Sequence, residues 1–342
     1  MSKNTITCLT AFHRHELMDR APGQSHDEPM QVTESKRNVV KTCVSSVVVP
    51  CSSRKSKLSA PGLKAGSVTA GRQATVARRW QEKLLAATPT SPARDLYLGT
   101  SLKRALRVSQ DLEVPTWIIS AGLGLVGSAK AVPSYDLTLA PGAKASISDR
   151  VNDVFAPSEW WTELQNGPYA CDLTDISGDD SRGRVLICLT RPYAQMIGPA
   201  LAQLPAALLE RLRIFGPGIA AHLPTIVRSR VMRYDQRLDL ISPGIQLDAG
   251  ARALEHFASL IRDVLPTDPS DDQRLIDLAL APLSRPKPVA RVRMDDMELR
   301  AHIAPWAAEG LSVQGALRRL RDNSHISCEQ RRFQRLYDEV RG

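Results

Sequence analysis

The sequence is poor in the residue patterns that build metal cages and disulfide frameworks. Its six cysteines, Cys8, Cys43, Cys51, Cys171, Cys188 and Cys328, are scattered, with no C-x-x-C pair and no Cys/His cluster at zinc-ligand spacing. No structural metal and no disulfide framework are expected. The stretch from Met1 to Arg20 lacks the continuous apolar core of a signal peptide, and no apolar run is long enough to span a bilayer. A reducing, cytoplasmic location without a membrane partner is the expectation. No histidine lies near the loops described below, the nearest downstream being His222, which argues against a hydrolytic triad. Gly122-Leu123-Gly124 stands without the rest of a dinucleotide fingerprint, and no cofactor is expected.

What is present is a chain of 342 residues with 43% hydrophobic content, enough for one large or two ordinary domains with a sizeable core. The formal net charge is +9, which favours an anionic partner, nucleic acid or nucleotide first. A merely solvated basic surface is the competing explanation of that charge.

Residues 1 to 40 are polar and aperiodic, and are read as a mostly disordered tail. From residue 41 to 281 apolar strand runs alternate with helix-like segments, the pattern of an α/β domain. Val47 to Pro50 reads as a buried strand that delivers Cys51, Ser52, Ser53, Arg54 and Lys55 to one loop. Thr116 to Ser120, Val185 to Leu189 and Leu212 to Phe215 are further strands, and Asp95 to Leu112 has the apolar spacing of a helix. Each strand ends in small, polar or glycine residues rather than in a tight hairpin turn. Largely parallel strands would bring those endings to one sheet edge, where open α/β sheets bind ligands. Pro282 to Val289 and Ala290 form a proline-rich linker, and 291–342 reads as two or three helices. Asp295 or Asp296 can cap the first, Leu311-Ser312 opens the second, and Glu329 to Val340 forms the third. Arg318, Arg319, Arg331, Arg332 and Arg335 crowd the last two, as in a DNA-binding module of helix-turn-helix type. A solvated helical cap would give the same pattern.

Four segments follow one another in an informative order: Pro50-Cys51-Ser52 with Lys55, Pro92-Ala93-Arg94-Asp95-Leu96-Tyr97, Ser120-Ala121-Gly122-Leu123-Gly124-Leu125 and Pro133-Ser134-Tyr135-Asp136. Together they resemble a bacterial family of YaaA-like proteins, with Ser134 inserted into that family's Pro-Tyr-Asp motif. The resemblance covers Val44 to Thr138 and extends more weakly to Phe257, through Arg233-Tyr234-Asp235-Gln236-Arg237-Leu238. The Pro-Cys-Ser loop with its Lys is also similar to a signature of archaeosine synthases. What the resemblance implies is an open, largely parallel α/β sheet flanked by helices, like that of uracil-DNA glycosylases. It also implies a base-handling pocket, with phage-defence DNA glycosylases among the relatives. Excision of a modified base from phage DNA is the sharpest expectation. A non-catalytic DNA-binding or stress-response protein and an RNA base-exchange enzyme are the alternatives.

Hydrolysis of an N-glycosidic bond builds positive charge on the sugar, so a carboxylate must stabilise it and orient water. Asp136 is the candidate; an Asx-turn or helix cap is its ordinary use. Lys55 can hold a phosphate, hydrogen-bond the departing base or, with a depressed pKa, form a Schiff base; a solvated loop lysine is the plain alternative. Cys51 is read as a small buried wall residue rather than a nucleophile. Ser52 and Ser120 are hydrogen-bond donors to a phosphate or base edge. Tyr97, Tyr135 and Tyr193 are candidates to stack on a flipped base, and Gly122 permits close backbone approach. Trp160 and Trp161 follow Ser158, a candidate cap, and are secondary candidates for a groove. The sequence assigns no oligomeric state.

Overall fold

The computed structural model describes residues 43–178, 182–286 and 290–342. The tail expected over residues 1–40 lies outside them. Among the described residues the architecture is an α/β domain whose sheet runs, in space, β3-β2-β1-β4-β5, where β1 is Val44–Pro50, β2 Thr116–Ser120, β3 Gly124–Gly127, β4 Arg184–Cys188 and β5 Leu212–Phe215. All pairs are parallel except β2 with β3. The β1 run Val44-Ser45-Ser46-Val47-Val48-Val49-Pro50 is buried throughout, as expected of a central strand covered on both faces. Ser45 survives there because its hydroxyl donates to the Gly183 carbonyl at 3.2 Å. Pro50 closes the strand where its missing N–H costs nothing, and the Cys51 N–H resumes the ladder to the Ile119 carbonyl at 2.8 Å.

Three expectations change. The turn after β2 does not open as a flexible loop: Ser120 pairs with Gly124, so Ala121-Gly122-Leu123 is the tip of a tight hairpin into the antiparallel edge strand. Gly124 sits at φ +82°, a conformation glycine adopts without strain. The helix expected from Asp95 splits into a short turn, Ala93–Leu96, and a helix Thr100–Asp111. Ser158 lies inside the helix Pro157–Gln165 rather than at its cap, which is Ala156.

At the carboxyl side of the chain, Asp296–Ala308, Val313–Asp322 and Gln330–Arg341 are helices capped by Asp295, Ser312 and Glu329 respectively. Asp295 and Glu298 form a reciprocal capping box. A two-residue parallel ladder, Val292–Arg293 with Ile326–Ser327, also ties this module together. It has its own apolar core, built on Leu299, Ile303, Leu320, Phe333 and Leu336, separate from the core of the sheet domain. Among the described residues no helix is long and apolar enough to cross a membrane.

Candidate functional site

The carboxyl ends of β1, β4 and β5 open on a cleft of about 710 Å³. Its wall is made by Cys51 and Ser52 after β1, Thr190, Arg191 and Tyr193 after β4, and Pro217 after β5. Thr100 and Ser101 complete one side and Gln246 to Asp248 the other. Three helices begin here, Thr100–Asp111, Arg191–Leu201 and Ala249–Leu260, and none has a side-chain cap on its first turn. The first N–H groups and aligned peptide dipoles at Thr100 and Arg191 favour an anion, and the exposed Arg191 adds a full charge, while the third helix starts behind the Asp248 carboxylate, which opposes one. The cleft is the expected site of the parallel sheet, reached because β1, β4 and β5 point the same way.

Behind the cleft lies a chain of hydroxyls. The Cys51 sulfur is 3.1 Å from the Tyr193 hydroxyl and 3.6 Å from that of Tyr135. The Tyr135 hydroxyl is in turn 2.7 Å from Ser120 Oγ and 3.1 Å from the Tyr97 hydroxyl. Ser120 Oγ also accepts from the Leu123 N–H at 3.0 Å, so its position is set by the hairpin. Burial pushes the hydroxyl pKa values of Tyr97, Tyr135 and Tyr193 upward, and the neighbouring Cys51 adds to the effect. All three therefore stay protonated, each able to donate one hydrogen bond and to accept another. Tyr97 and Tyr135 are buried, and of the three tyrosines only Tyr193 lines the cleft. Their rings pack on each other, centroids 6.4 Å apart at 75°, and Tyr135 packs on Trp80.

Gly122 has a different use from the one expected. A Cβ there would meet the Tyr135 ring at 2.7 Å, so the close approach it permits is that of a core aromatic. Its carbonyl is taken by the Trp80 indole N–H at 2.7 Å, and that of Ala121 by Trp160 at 2.9 Å. Trp160 and Trp161 are buried packing residues.

Lys55 is half-buried, with its ammonium 4.2 Å from the centre of the Tyr135 ring and 5.7 Å from that of Tyr97. Burial lowers its pKa, against the opposing influence of Cys51 and Asp136. Asp136 is exposed and its carboxylate accepts no hydrogen bond from the described residues, while its backbone is fixed to Leu63 and Ala65 at 2.8 Å each. Along the extended run Asp136-Leu137-Thr138-Leu139 the two leucines are buried. Asp136 and Thr138 therefore share the outward face, and Thr138 lines the cleft. Asp136 does not itself line the cleft and is two residues from Thr138, which does. Ser52 lines the cleft while its hydroxyl donates to the Arg54 carbonyl at 2.9 Å and accepts from the Gly99 N–H at 3.0 Å.

Cys51, Lys55, Tyr97, Ser120, Gly122, Tyr135 and Asp136 thus come together from four separate segments, with Ser52 and Tyr193 on the cleft wall. Thr100, Ser101, Thr190 and Arg191 were missed by the sequence reading. The Pro192 that opens the helix after β4 was the available signal for Thr190 and Arg191. Cys188, also on the wall, has its thiol pushed up to about 12 by burial and is inert as a nucleophile.

The second expected site divides. Arg332 and Arg335 both pair with Asp296, and Arg335 also pairs with Glu339. Arg319 pairs with Glu309 and stacks over Trp306. Arg318 and Arg331 are exposed and make no ion pair among the described residues. Comparison of the chain with family models, with curated proteins and with solved structures gave no match, so the likeness to YaaA-like proteins rests on the quoted motifs alone.

Proposed function

We propose that the protein is a DNA glycosylase that excises a modified base, with phage DNA as the expected substrate. The observation that carries this reading is the cleft itself. It has the volume of a nucleoside-sized site, hydroxyl donors for a base edge and, for a phosphate, two helix starts at Thr100 and Arg191 without a side-chain cap or carboxylate. Its wall residue Cys51 leads through Tyr135 to Lys55, and its wall residue Thr138 is two residues from Asp136. In the proposed reaction the bond from sugar C1′ to the base nitrogen breaks, and a water oxygen bonds to C1′. Asp136 takes the water's proton and stabilises the cationic sugar as it forms. The base leaves with the bonding electron pair, which the Lys55 ammonium stabilises by donating a hydrogen bond or its proton. The Tyr135 ring, itself fixed by the bond of its hydroxyl to Ser120, packs against the Lys55 ammonium.

The purified chain is expected to release free base from hypermodified phage DNA, detected by mass spectrometry, and to leave alkali-labile abasic sites. Asp136→Asn is expected to slow release about 100-fold or more while DNA affinity stays unchanged. Full activity in that variant overturns the assignment of Asp136. DNA binding without release from any member of a broad panel favours a non-catalytic binding protein. Incorporation of a free base into tRNA favours the RNA reading.

A further inference from the structure

A second concavity adjoins the cleft and shares Thr100 with it. It is lined by Arg54, Leu98, Thr100, Lys103, Leu106, Arg107 and Gln110, with three cations and no carboxylate. Arg54, Lys103 and Arg107 are exposed, and none makes an ion pair among the described residues. Their placement is fixed from two sides. Lys103 and Arg107 are four residues apart on the helix Thr100–Asp111, hence on one face and separated by about 6 Å of helix rise. Arg54 is held against the start of that helix because its carbonyl accepts the Leu98 N–H at 3.0 Å, next to the Ser52 bond to Gly99. The helix itself is anchored on its other side by Arg104, whose guanidinium pairs with Glu255. The cation that faces the protein has an ion-pair partner, and those that face out have none among the described residues.

We infer that this groove carries the phosphodiester backbone of a DNA strand as it leads into the cleft. The inference rests on the proposed function for the identity of the strand, and on the groove's charge and its continuity with the cleft for the location. A row of unpaired cations on a rigid helix and its tethered loop matches a polyanion, and its sequence-independent contacts would position the strand while the cleft selects the base.

The test is binding of the full chain to a fluorescein-labelled, unmodified DNA duplex, read by anisotropy across salt concentrations. Replacement of all three cations in Arg54→Gln, Lys103→Gln and Arg107→Gln is expected to reduce the slope of log affinity against log salt by about 2 to 3. The affinity gap from wild type should then shrink roughly 15- to 60-fold between about 50 and 200 mM salt. The three sites are exposed, so the thermal midpoint should hold. A second variant, Arg54→Lys with Arg107→Lys, keeps the charges and is expected to keep the slope. An unchanged slope in the triple variant overturns the inference, as does failure of the wild type to bind DNA at low salt. Tighter binding to an RNA duplex of the same sequence overturns the choice of DNA. The two readings fail separately. Groove variants that lose DNA binding in a wild-type background without base release leave the groove standing and sink the glycosylase. Base release with an intact slope does the reverse.

Discussion

The carboxyl-terminal module and the groove beside the cleft are both arginine-bearing, yet they differ in how much of that charge is paired internally. Residues 291–342 hold ten arginines, by far the denser cluster in the sequence, but also eight carboxylates, for a net charge of +2. The fold uses those carboxylates: Asp296 holds Arg332 and Arg335, Glu339 holds Arg300 and Arg335, and Glu309 holds Arg319. The groove has only Arg54, Lys103 and Arg107, drawn from two segments and inconspicuous in the sequence, with no carboxylate in its lining. Charge available to a partner is what remains after internal pairing, and among the described residues all three groove cations stay unpaired, against half of the module's ten arginines.

The most severe way to break this comparison is at its fully paired limit. Arg184 and Arg213 are both buried, and one buried carboxylate, Asp272, holds them at 2.7 and 2.5 Å. Further bonds to the carbonyls of Val264 and Thr267 complete the network. Asp272→Asn leaves two buried guanidiniums without a counter-charge, and is expected to cost about 3–5 kcal/mol in urea denaturation. A loss near zero would mean that internal pairing does not govern these arginines, nor by extension those of the carboxyl-terminal module.

That network, like the pairing in the carboxyl-terminal module, was not legible in the sequence. What was legible is local. Thr116 to Ser120 and Leu212 to Phe215 are strands at the expected bounds because β-branched and apolar runs flanked by turn residues have few other uses. Asp295, Ser312 and Glu329 announce helix starts through a side chain that bonds an N–H two or three residues away. Arg332 and Asp296, by contrast, are 36 residues apart, and nothing in either neighbourhood names the other. The tyrosines show the same limit. The motifs bring Tyr97 and Tyr135 to the site region, but their burial depends on Trp80, Ser120 and Gly122 packing from other segments. An aromatic in a loop motif reads as a stacking platform, and here two of the three form the floor beneath the site. The hairpin at Gly122 was read as open because a Gly-x-Gly run gives flexibility without saying which way the next strand runs.

Between the two extremes of the comparison stands Lys55, a half-buried cation that packs against the Tyr135 ring and feels the charge of Asp136 without an ion pair among the described residues. Burial holds its pKa below the ordinary 10.5 despite the opposing influence of Cys51 and Asp136. With the folded-state value depressed, the ammonium costs stability at neutral pH, and that cost fades as pH rises from the folded value toward 10.5. Lys55→Met removes the titrating group. The variant is expected to exceed wild type in urea midpoint near neutral pH, with the gap closing as pH approaches 10.5. A gap that widens with pH would show that the cation is stabilised in place by Tyr135 more than burial penalises it, and would move Lys55 toward the paired class.

The smallest expected effect tests the other side of the comparison. Arg318 and Arg331 are the expected DNA contacts of the carboxyl-terminal module that remain exposed and without an ion pair among the described residues. They lie on different helices, Val313–Asp322 and Gln330–Arg341, and Arg331 is in the first turn of the latter. A cation there meets the positive end of the helix dipole, and its own backbone N–H is already bonded to the Glu329 carboxylate at 3.0 Å. Arg331 therefore has a neighbouring negative charge that screens it from a phosphate. Arg318→Gln together with Arg331→Gln is expected to change stability by less than about 0.5 kcal/mol. The salt slope for DNA should fall by well under 1, against the fall of about 2 to 3 expected when the groove cations are removed. A fall of about 2 in the double variant would place phosphates on these two helices and invert the comparison, making the dense cluster the DNA contact and the groove an incidental basic surface.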